Sequence, residues 1–437
     1  MLSFIGLAAG LALLIALTMR GTHILIAATI SALLVAVTSG LPLLPPFAET
    51  EGADYVSAYM RGFTGFLFDW LFMFLLGAIF GEVMAASGAA DSAARWVIDR
   101  LGVKYAVLAV VAACAVLTYG GVSVFIVAFS VYPMAVGLFR EANLPHRFIP
   151  AALAFGSVTF TMTSAGSPEI QNLIPMAYLD TTALAGWQVS LPVAVVLALT
   201  GYVWLQRMVG RATARGEAFD GARGQHVERD LTDLPHPALA LIPLVAVVLI
   251  FNLTDGFLEK YALIAALAAG TLIALAIGWR HRMRMPQAFT LGAAGAVVAI
   301  TNTCAVVGFG TVAQLTPAFQ ETLELVRAIP GDPLIGAAIA ITVICGLTGS
   351  ASGGQTIALP LIAPGYVAEG VNQAELHRVA ALASGAMDSL PHNGYVVTTI
   401  RAICGETHAR AYGPVGALTV ILPAAGLVMA LALFIVF

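Results

Sequence analysis

The chain has 437 residues, of which 59% are hydrophobic and only 10% charged, with a mean hydropathy of +0.92. A soluble domain carries roughly a quarter charged residues, so this composition excludes a water-soluble enzyme or nucleic-acid-binding module and implies a polytopic membrane protein. The net charge of −4 says little by itself, because the placement of the charges decides what they do.

Met1–Thr18 is apolar from its second residue, without a basic leader or a cleavage site, and reads as a retained helix. Apolar runs long enough to span a bilayer lie at 2–18, 24–42, 63–85, 148–180, 186–206, 237–254, 261–279, 286–312, 376–404 and 413–437. Residues 86–104, with Arg95, Trp96, Asp99 and Arg100, read as an interfacial amphipathic segment. Asp69 and Glu82 in the third run read as interfacial. Two further apolar stretches, 105–137 and 333–368, are interrupted by small polar clusters, Thr118-Tyr119-Gly120-Gly121-Val122-Ser123 and Thr348-Gly349-Ser350-Ala351-Ser352-Gly353-Gly354. Each arm is shorter than the roughly 20 residues a crossing needs. Both stretches therefore read as re-entrant hairpins, the competing reading being one long kinked helix. The segment 207–236, rich in charge and glycine, reads as a solvated cytoplasmic linker. Cys114, Cys304, Cys345 and Cys404 all lie in apolar runs, with no disulfide framework and no metal-type spacing.

Counting the ten runs as crossings and the two stretches as hairpins, with both termini external, puts all of the 20 Lys and Arg on the cytoplasmic side except Arg61, Lys260, Arg327 and Arg378. That asymmetry obeys the positive-inside rule. The same map divides the chain into two inverted repeats. The first, 1–206, holds the hairpin 105–137 and the broken helix 148–180; the second, 237–437, holds the hairpin 333–368 and the broken helix 376–404. The expected fold is thus an all-α membrane protein of about ten crossings with two hairpins and two broken helices at the midplane. Secondary transporters have this architecture, with the site where discontinuous helices meet.

The most informative stretch is Ser384–Gly394, Ser-Gly-Ala-Met-Asp-Ser-Leu-Pro-His-Asn-Gly, deep inside an apolar run. Pro391 removes a backbone donor, and Gly385 and Gly394 loosen the flanks. Unpaired backbone at that depth survives only inside protein or beside water, and ionisable groups there mark function. The bland alternative is a proline kink with satisfied polar groups. Thr163-Ser164-Ala165-Gly166-Ser167-Pro168-Glu169-Ile170-Gln171-Asn172 repeats the pattern in the first half. Such breaks expose helix N-termini, which favour an anion. No Lys or Arg lies within the four polar breaks, so an anionic ligand would be held by dipoles, hydroxyls and amides. The candidate binding residues are Thr118, Tyr119, Gly120, Gly121 and Ser123 of the first hairpin, and Thr163, Ser164, Gly166, Ser167, Gln171 and Asn172 of the first break. The second half contributes Gly349, Ser350, Ser352, Gly353 and Gly354, then Ser389, His392 and Asn393. Asp388, His392 and Glu169 are the candidate proton carriers, with Asp388 and His392 favoured because they share one break. Asn302 reads as a helix–helix hydrogen-bonding amide.

An enzyme is disfavoured: neither H-E-x-x-H nor G-x-S-x-G occurs. Without a G-x-x-x-x-G-K-[ST] loop, ATP is not the driver. A passive channel remains as an alternative to coupled transport. No cofactor or metal is expected.

The motifs around Thr118–Ser123 with Tyr132-Pro133, Phe160–Asn172, Gly349–Gly354 and Leu376-His377-Arg378-Val379-Ala380 through Gly394 together resemble those of the gluconate/H⁺ symporter (GntP) family of bacterial permeases, within the broader ion-transporter superfamily. The resemblance spans essentially the whole chain. It implies uptake of a small organic acid with protons across the bacterial inner membrane, gluconate or a short-chain hydroxy acid such as 3-hydroxybutyrate. It also implies a homodimer with a scaffold part and a mobile part, and leaves Na⁺ open as the coupling ion. Glu169 departs from the family pattern, where glutamine is often found.

Overall fold

The structure is a computed structural model that describes residues 2–20, 22–47, 53–221, 234–258, 261–327, 329, 331–391 and 393–436. The described residues are helical throughout, joined by turns and short irregular breaks, and form several apolar membrane-spanning helices. Among the described residues, six helical segments are long and apolar enough to cross a membrane: Tyr55–Ala86, Trp187–Ala214, Pro237–Thr254, Ala262–Arg280, Arg282–Gln314 and His408–Val436. Leu2–Leu14, Ile24–Thr38 and Pro333–Gly346 are shorter apolar helices. The difference from the ten expected runs is local and physical. The runs 148–180 and 376–404 do not form single helices, because glycine, serine and proline interrupt their ladders.

In chain order the first part comprises α1 (Leu2–Met19), α2 (Ile24–Thr38), α3 (Tyr55–Ala86) and α4 (Ala89–Leu101). Asp54 caps α3, its carboxylate accepting from Ser57 N at 2.9 Å. α4 buries Ala89, Ala90, Ala93, Ala94 and Val97 and exposes Arg95, Trp96, Asp99 and Arg100, the amphipathic pattern expected for 86–104. It meets the following helix at a 101° bend.

α5 (Ala106–Tyr119) and α6 (Val124–Glu141) are joined by Gly120–Ser123. α7 (Ile149–Ala154) widens into a π-helix at Phe155–Thr159, then gives way to irregular backbone until α8 (Ile170–Leu179). α9 (Trp187–Ala214) continues past 206, so the first residues of the expected linker are helical. Residues 215–221 are non-helical and mostly exposed, and are tethered to the protein by ion pairs. Arg147 Nε donates to Glu217 at 2.7 Å and Arg410 donates to Asp220 at 2.5 Å. Most of the remaining linker, 222–233, lies outside the described residues.

The second part runs α10 (Pro237–Leu258), α11 (Ala262–Ile277), α12 (Met285–Gln314), α13 (Pro317–Arg327), α14 (Pro333–Thr348) and α15 (Ala351–Ala368). Then come α16 (Gln373–Ser384), α17 (Gly394–Val397) continued as a π-helix over Thr398–Ile403, α18 (His408–Gly416) and α19 (Leu422–Val436). α14 and α15 are joined by a two-residue turn in which Gly349 has φ +61, a left-handed conformation that costs other residues energy.

Packing separates two groups of helices. α3 and α12 lie along each other, with α2 against α12, α1 against α2, and α11 against both α3 and α10. Close approach explains the glycines here: a Cβ on Gly308 would stand 2.9 Å from the Tyr59 carbonyl and one on Gly292 2.8 Å from Ile79 Cα. The second group packs α5 with α6, α8 with α15 and α16, α14 with α15 and α16, and α9 with α19. All four cysteines are buried and free, as their setting suggested.

Candidate functional site

A cavity of about 450 Å³ lies between the two groups. One wall is largely apolar: Met73, Phe74 and Gly77 of α3, Leu263 and Leu267 of α11, and Ala296, Ala299 and Val306 of α12. Leu14, His23 and Ile24 of α1–α2 also line it. The opposite wall is mixed, and its polar groups come from the four interrupted segments: Gly121 and Ser123, Glu169 and Gln171, Gly349, Ser350 and Ser352, and Asp388, Ser389 and Asn393. These ten candidates, scattered over more than half of the chain, are brought together.

Four of them stand at N-caps. Ser123 precedes α6, Glu169 precedes α8, Ser350 precedes α15 and Asn393 precedes α17. Four helix N-termini therefore meet at one cavity, each carrying unpaired backbone N–H groups and partial positive charge. The caps differ between the halves. Ser350 Oγ accepts from Gly353 N at 3.1 Å and Asn393 Oδ1 from Val396 N at 2.9 Å, whereas Ser123 and Glu169 make no side-chain cap bond. Asp388 accepts from the Ser389 hydroxyl at 2.9 Å.

The other candidates support the site from behind. The Tyr119 hydroxyl donates to the Ala165 carbonyl at 2.7 Å. Gly166, at φ +76, donates to Ala183 O at 2.9 Å and accepts from Asn252 Nδ2 at 2.9 Å. Asn172 donates to the carbonyls of Ser167 and Ala183, both at 3.0 Å. Thr118 is buried behind the first turn, as Thr163 and Ser164 are within the first break. Gly120 packs on Leu244, and Gly354 packs against Cys345. Gly353 serves as the partner of the Ser350 cap. His392 lies outside the described residues.

One sequence expectation is corrected. Arg378, assigned to an outer segment, is fully buried. Its guanidinium donates to the carbonyls of Thr163 at 2.7 Å, Ala183 at 3.1 Å and Ala185 at 2.9 and 2.8 Å. A cation thus reaches the first break although the break contains none, because α16 of the second half packs against it. Beside it, His377 pairs with Asn172 at 3.2 Å and Thr181 at 2.6 Å. Gln355 ties three segments together, donating from α15 to Gln171 O at 3.0 Å and Ala380 O at 3.2 Å. Sequence reasoning passed over Gln355, whose signal was an amide inside an apolar helix. Asn302 also differs from expectation: it lines the cavity, and its Oδ1 makes no hydrogen bond among the described residues.

Away from the cavity, the ligand atoms of His146, Asp220 and Glu406 lie within 4.8 Å of one another. His146 is already held by Glu406 at 2.8 Å and Tyr132 at 3.1 Å, and Asp220 by Arg410. With the Arg410 guanidinium against both carboxylates, this is an ion-pair cluster and a poor cation site.

A multi-helical membrane protein whose interrupted helices converge on a central cavity is a membrane transporter. The comparisons narrow the class. The GntP family permease profile matches residues 2–257. The "Uncharacterized transporter YxjC" of Bacillus subtilis (strain 168) is 34% identical over 459 residues, covering 95% of each chain. The chain belongs to the GntP permease family, and is accordingly a transporter and not an enzyme. The crystal structure of the Alcanivorax borkumensis YdaH transporter, described as having an unusual topology, matches 99% of this chain and 97% of its own with a TM-score of 0.57 at 14% identity. At that identity the likeness concerns the fold alone.

Proposed function

We propose that this permease is a proton-coupled symporter that takes up a small organic acid across the bacterial inner membrane. The observation supporting this reading most directly is the meeting of four helix N-termini, capped by Ser123, Glu169, Ser350 and Asn393, at one cavity. Helix N-termini favour a carboxylate without a paired Lys or Arg, and neither is among the described residues lining the cavity. Its hydroxyl and amide groups suit a hydroxy acid, and its volume suits gluconate or a short-chain acid such as 3-hydroxybutyrate. Gly121, Ser123, Gln171, Gly349, Ser350, Ser352, Ser389 and Asn393 would contact substrate. Asp388 and Glu169 would carry protons, with His392 beside Asp388 in sequence.

In this reading the turns after α5 and α14 are tips of re-entrant hairpins, and residues 1–206 and 237–437 are inverted repeats. The group holding the polar wall moves as a body against the apolar wall of α3, α11 and α12, in an elevator-type cycle. The protein works as a homodimer with external termini.

The test is uptake and counterflow of labelled gluconate and 3-hydroxybutyrate in proteoliposomes, under an inward proton gradient and then an inward Na⁺ gradient at equal pH. Accumulation driven by protons is expected. Accumulation driven only by Na⁺ would overturn the coupling, and conduction without saturation would favour a channel.

A further inference from the structure

The largely apolar wall of the cavity carries an amide oxygen that no other described residue holds. Ala296, Ala299, Asn302, Thr303 and Val306 line the cavity, and their three- and four-residue steps place them on one face of α12. Thr301 and Thr303 satisfy their hydroxyls on their own helix, donating to Val297 O at 2.6 Å and Ala299 O at 3.2 Å. Asn302 between them does not: its Oδ1 is buried and makes no hydrogen bond among the described residues. An amide taken from water without a partner is costly, and a polar side chain kept at membrane depth without a protein partner marks a ligand path. Gln171, already assigned to substrate, bears the same mark on the facing wall. It lines the cavity, and its Oε1 is buried without a partner among the described residues.

The place of Asn302 along α12 decides which part of a ligand it meets. One turn further on, Val306 touches the start of α15: a Cβ on Gly353 would stand 3.3 Å from Val306 Cγ1 and 3.1 Å from Ser350 Oγ. Four residues of helix rise about 6 Å, so Asn302 lies one helical turn from the point where α12 meets the Ser350-capped N-terminus. A carboxylate docked at that N-terminus brings its carbon chain within reach of the Asn302 amide. We propose that Asn302 is a specificity-determining residue of this site, whose carboxamide hydrogen-bonds a hydroxyl on the carbon chain of an organic acid docked by its carboxylate at the start of α15. This rests on the organic-acid reading above. A hydroxyl both donates and accepts, and a carboxamide offers a donor and an acceptor that exchange places when the group turns over, so the pairing is met in either orientation. An acid without the hydroxyl leaves the amide unpartnered on an apolar surface, and that penalty separates the two acids more than the bond itself does. Ala296, Ala299 and Val306 on the same face offer a hydroxyl nothing.

The test is the dissociation constant of the purified full-length protein for matched acids, read by isothermal titration, where no ion gradient enters. The probes are 3-hydroxybutyrate against butyrate and gluconate against hexanoate, each pair sharing a carbon chain and differing in hydroxyls. The unsubstituted protein is expected to bind one hydroxy acid about tenfold or more tighter than its plain counterpart. Asn302→Leu, which suits the apolar wall, is expected to weaken that hydroxy acid about tenfold and to leave the plain acid unchanged or tighter, closing the gap. Asn302→Thr, which restores a hydroxyl, is expected to recover part of it. An equal loss for both acids, an unchanged ratio between them, or loss of the folded peak of both variants on size exclusion would overturn the role of Asn302. Equal binding of plain and hydroxy acid by the unsubstituted protein would overturn it too, while leaving the organic-acid reading intact. Binding of none of the four acids would overturn the organic-acid reading and this inference together.

Discussion

Asn393 ties the second broken helix to the turn after α14, its Nδ2 donating to the Gly349 carbonyl at 3.0 Å while its Oδ1 caps α17 through Val396 N at 2.9 Å. One side chain thus holds two cavity-lining segments in register. Asn393→Ala removes a cap worth about 1 kcal/mol and strands a buried carbonyl at about 1–3 kcal/mol. A lower melting temperature in detergent and a raised KM for uptake are expected together. An unchanged KM would show that the two segments hold their places without it.

Ser350 and Ser352 sit at the start of α15, 3.5 Å apart between their hydroxyls, both on the cavity. Ser352→Val keeps the cap at Ser350 and replaces a cavity hydroxyl by two methyl groups. Uptake should be abolished with normal size-exclusion behaviour. Ser350→Val also loses the bond to Gly353 N, so it should lower stability by about 1 kcal/mol besides. Normal uptake by both variants would refute a role for this N-terminus in substrate binding.

Arg378 spans the two halves through carbonyls alone. Arg378→Met leaves Ala183 O with its Gly166 and Asn172 donors, but removes the guanidinium donors of Thr163 O and Ala185 O. At about 1–3 kcal/mol for each stranded group, the loss is a large part of a stability of about 5–15 kcal/mol. Little folded protein is expected by fluorescence-detected size exclusion. Arg378→Lys, which keeps a charge and fewer donors, should recover part of it. Wild-type yield of the methionine variant would contradict the clamp.

How much of this was legible in the sequence follows from where each signal resides. Ser123, Ser350, Asp388 and Asn393 announced themselves because polar residues, glycines and prolines stand out inside apolar runs. Their convergence follows from the same pattern, since interrupted backbone at membrane depth must face protein or water. Arg378 was misread because position-based counting cannot tell a charge near a helix start from one folded inward onto carbonyls far away in sequence. The helical extension of α9 and the tethering of residues 215–221 were hidden for a related reason. Charged residues look solvated until Arg147 and Arg410 are seen opposite them.

Glu169 and Asp388 face the same cavity from different halves, and their neutral variants should separate two roles. Glu169 is an N-cap without a cap bond. A carboxylate there competes with an anionic ligand for the helix N-terminus, an interaction of about 0.3–1 kcal/mol, up to ~2 when partly buried. Glu169→Gln should therefore tighten substrate binding, by up to about thirtyfold, as read by isothermal titration, while lowering proton-driven accumulation if Glu169 carries a proton as proposed. Asp388→Asn should spare exchange and abolish proton-driven accumulation. Loss of exchange in Asp388→Asn would place Asp388 in substrate binding instead.

The tether of residues 215–221 gives a pH dependence with a definite sign. The Arg147 guanidinium, hydrogen-bonded to Glu217, holds this carboxyl below its usual value of 4.5. A group with a lowered folded pKa contributes above its unfolded pKa and loses that contribution as pH falls through the folded one. The tether should therefore stay closed from neutral pH down through about pH 5, opening only below the ordinary carboxylate range. Glu217 is partly exposed, so the contribution is modest and screened by salt. Hydrogen exchange at 215–221, corrected for intrinsic rate, should show protection at pH 7 and at pH 5 alike. In Glu217→Gln that protection should fall at both. Protection already lost at pH 5 in the unsubstituted protein would mean that another titrating group, and not Glu217, governs the segment.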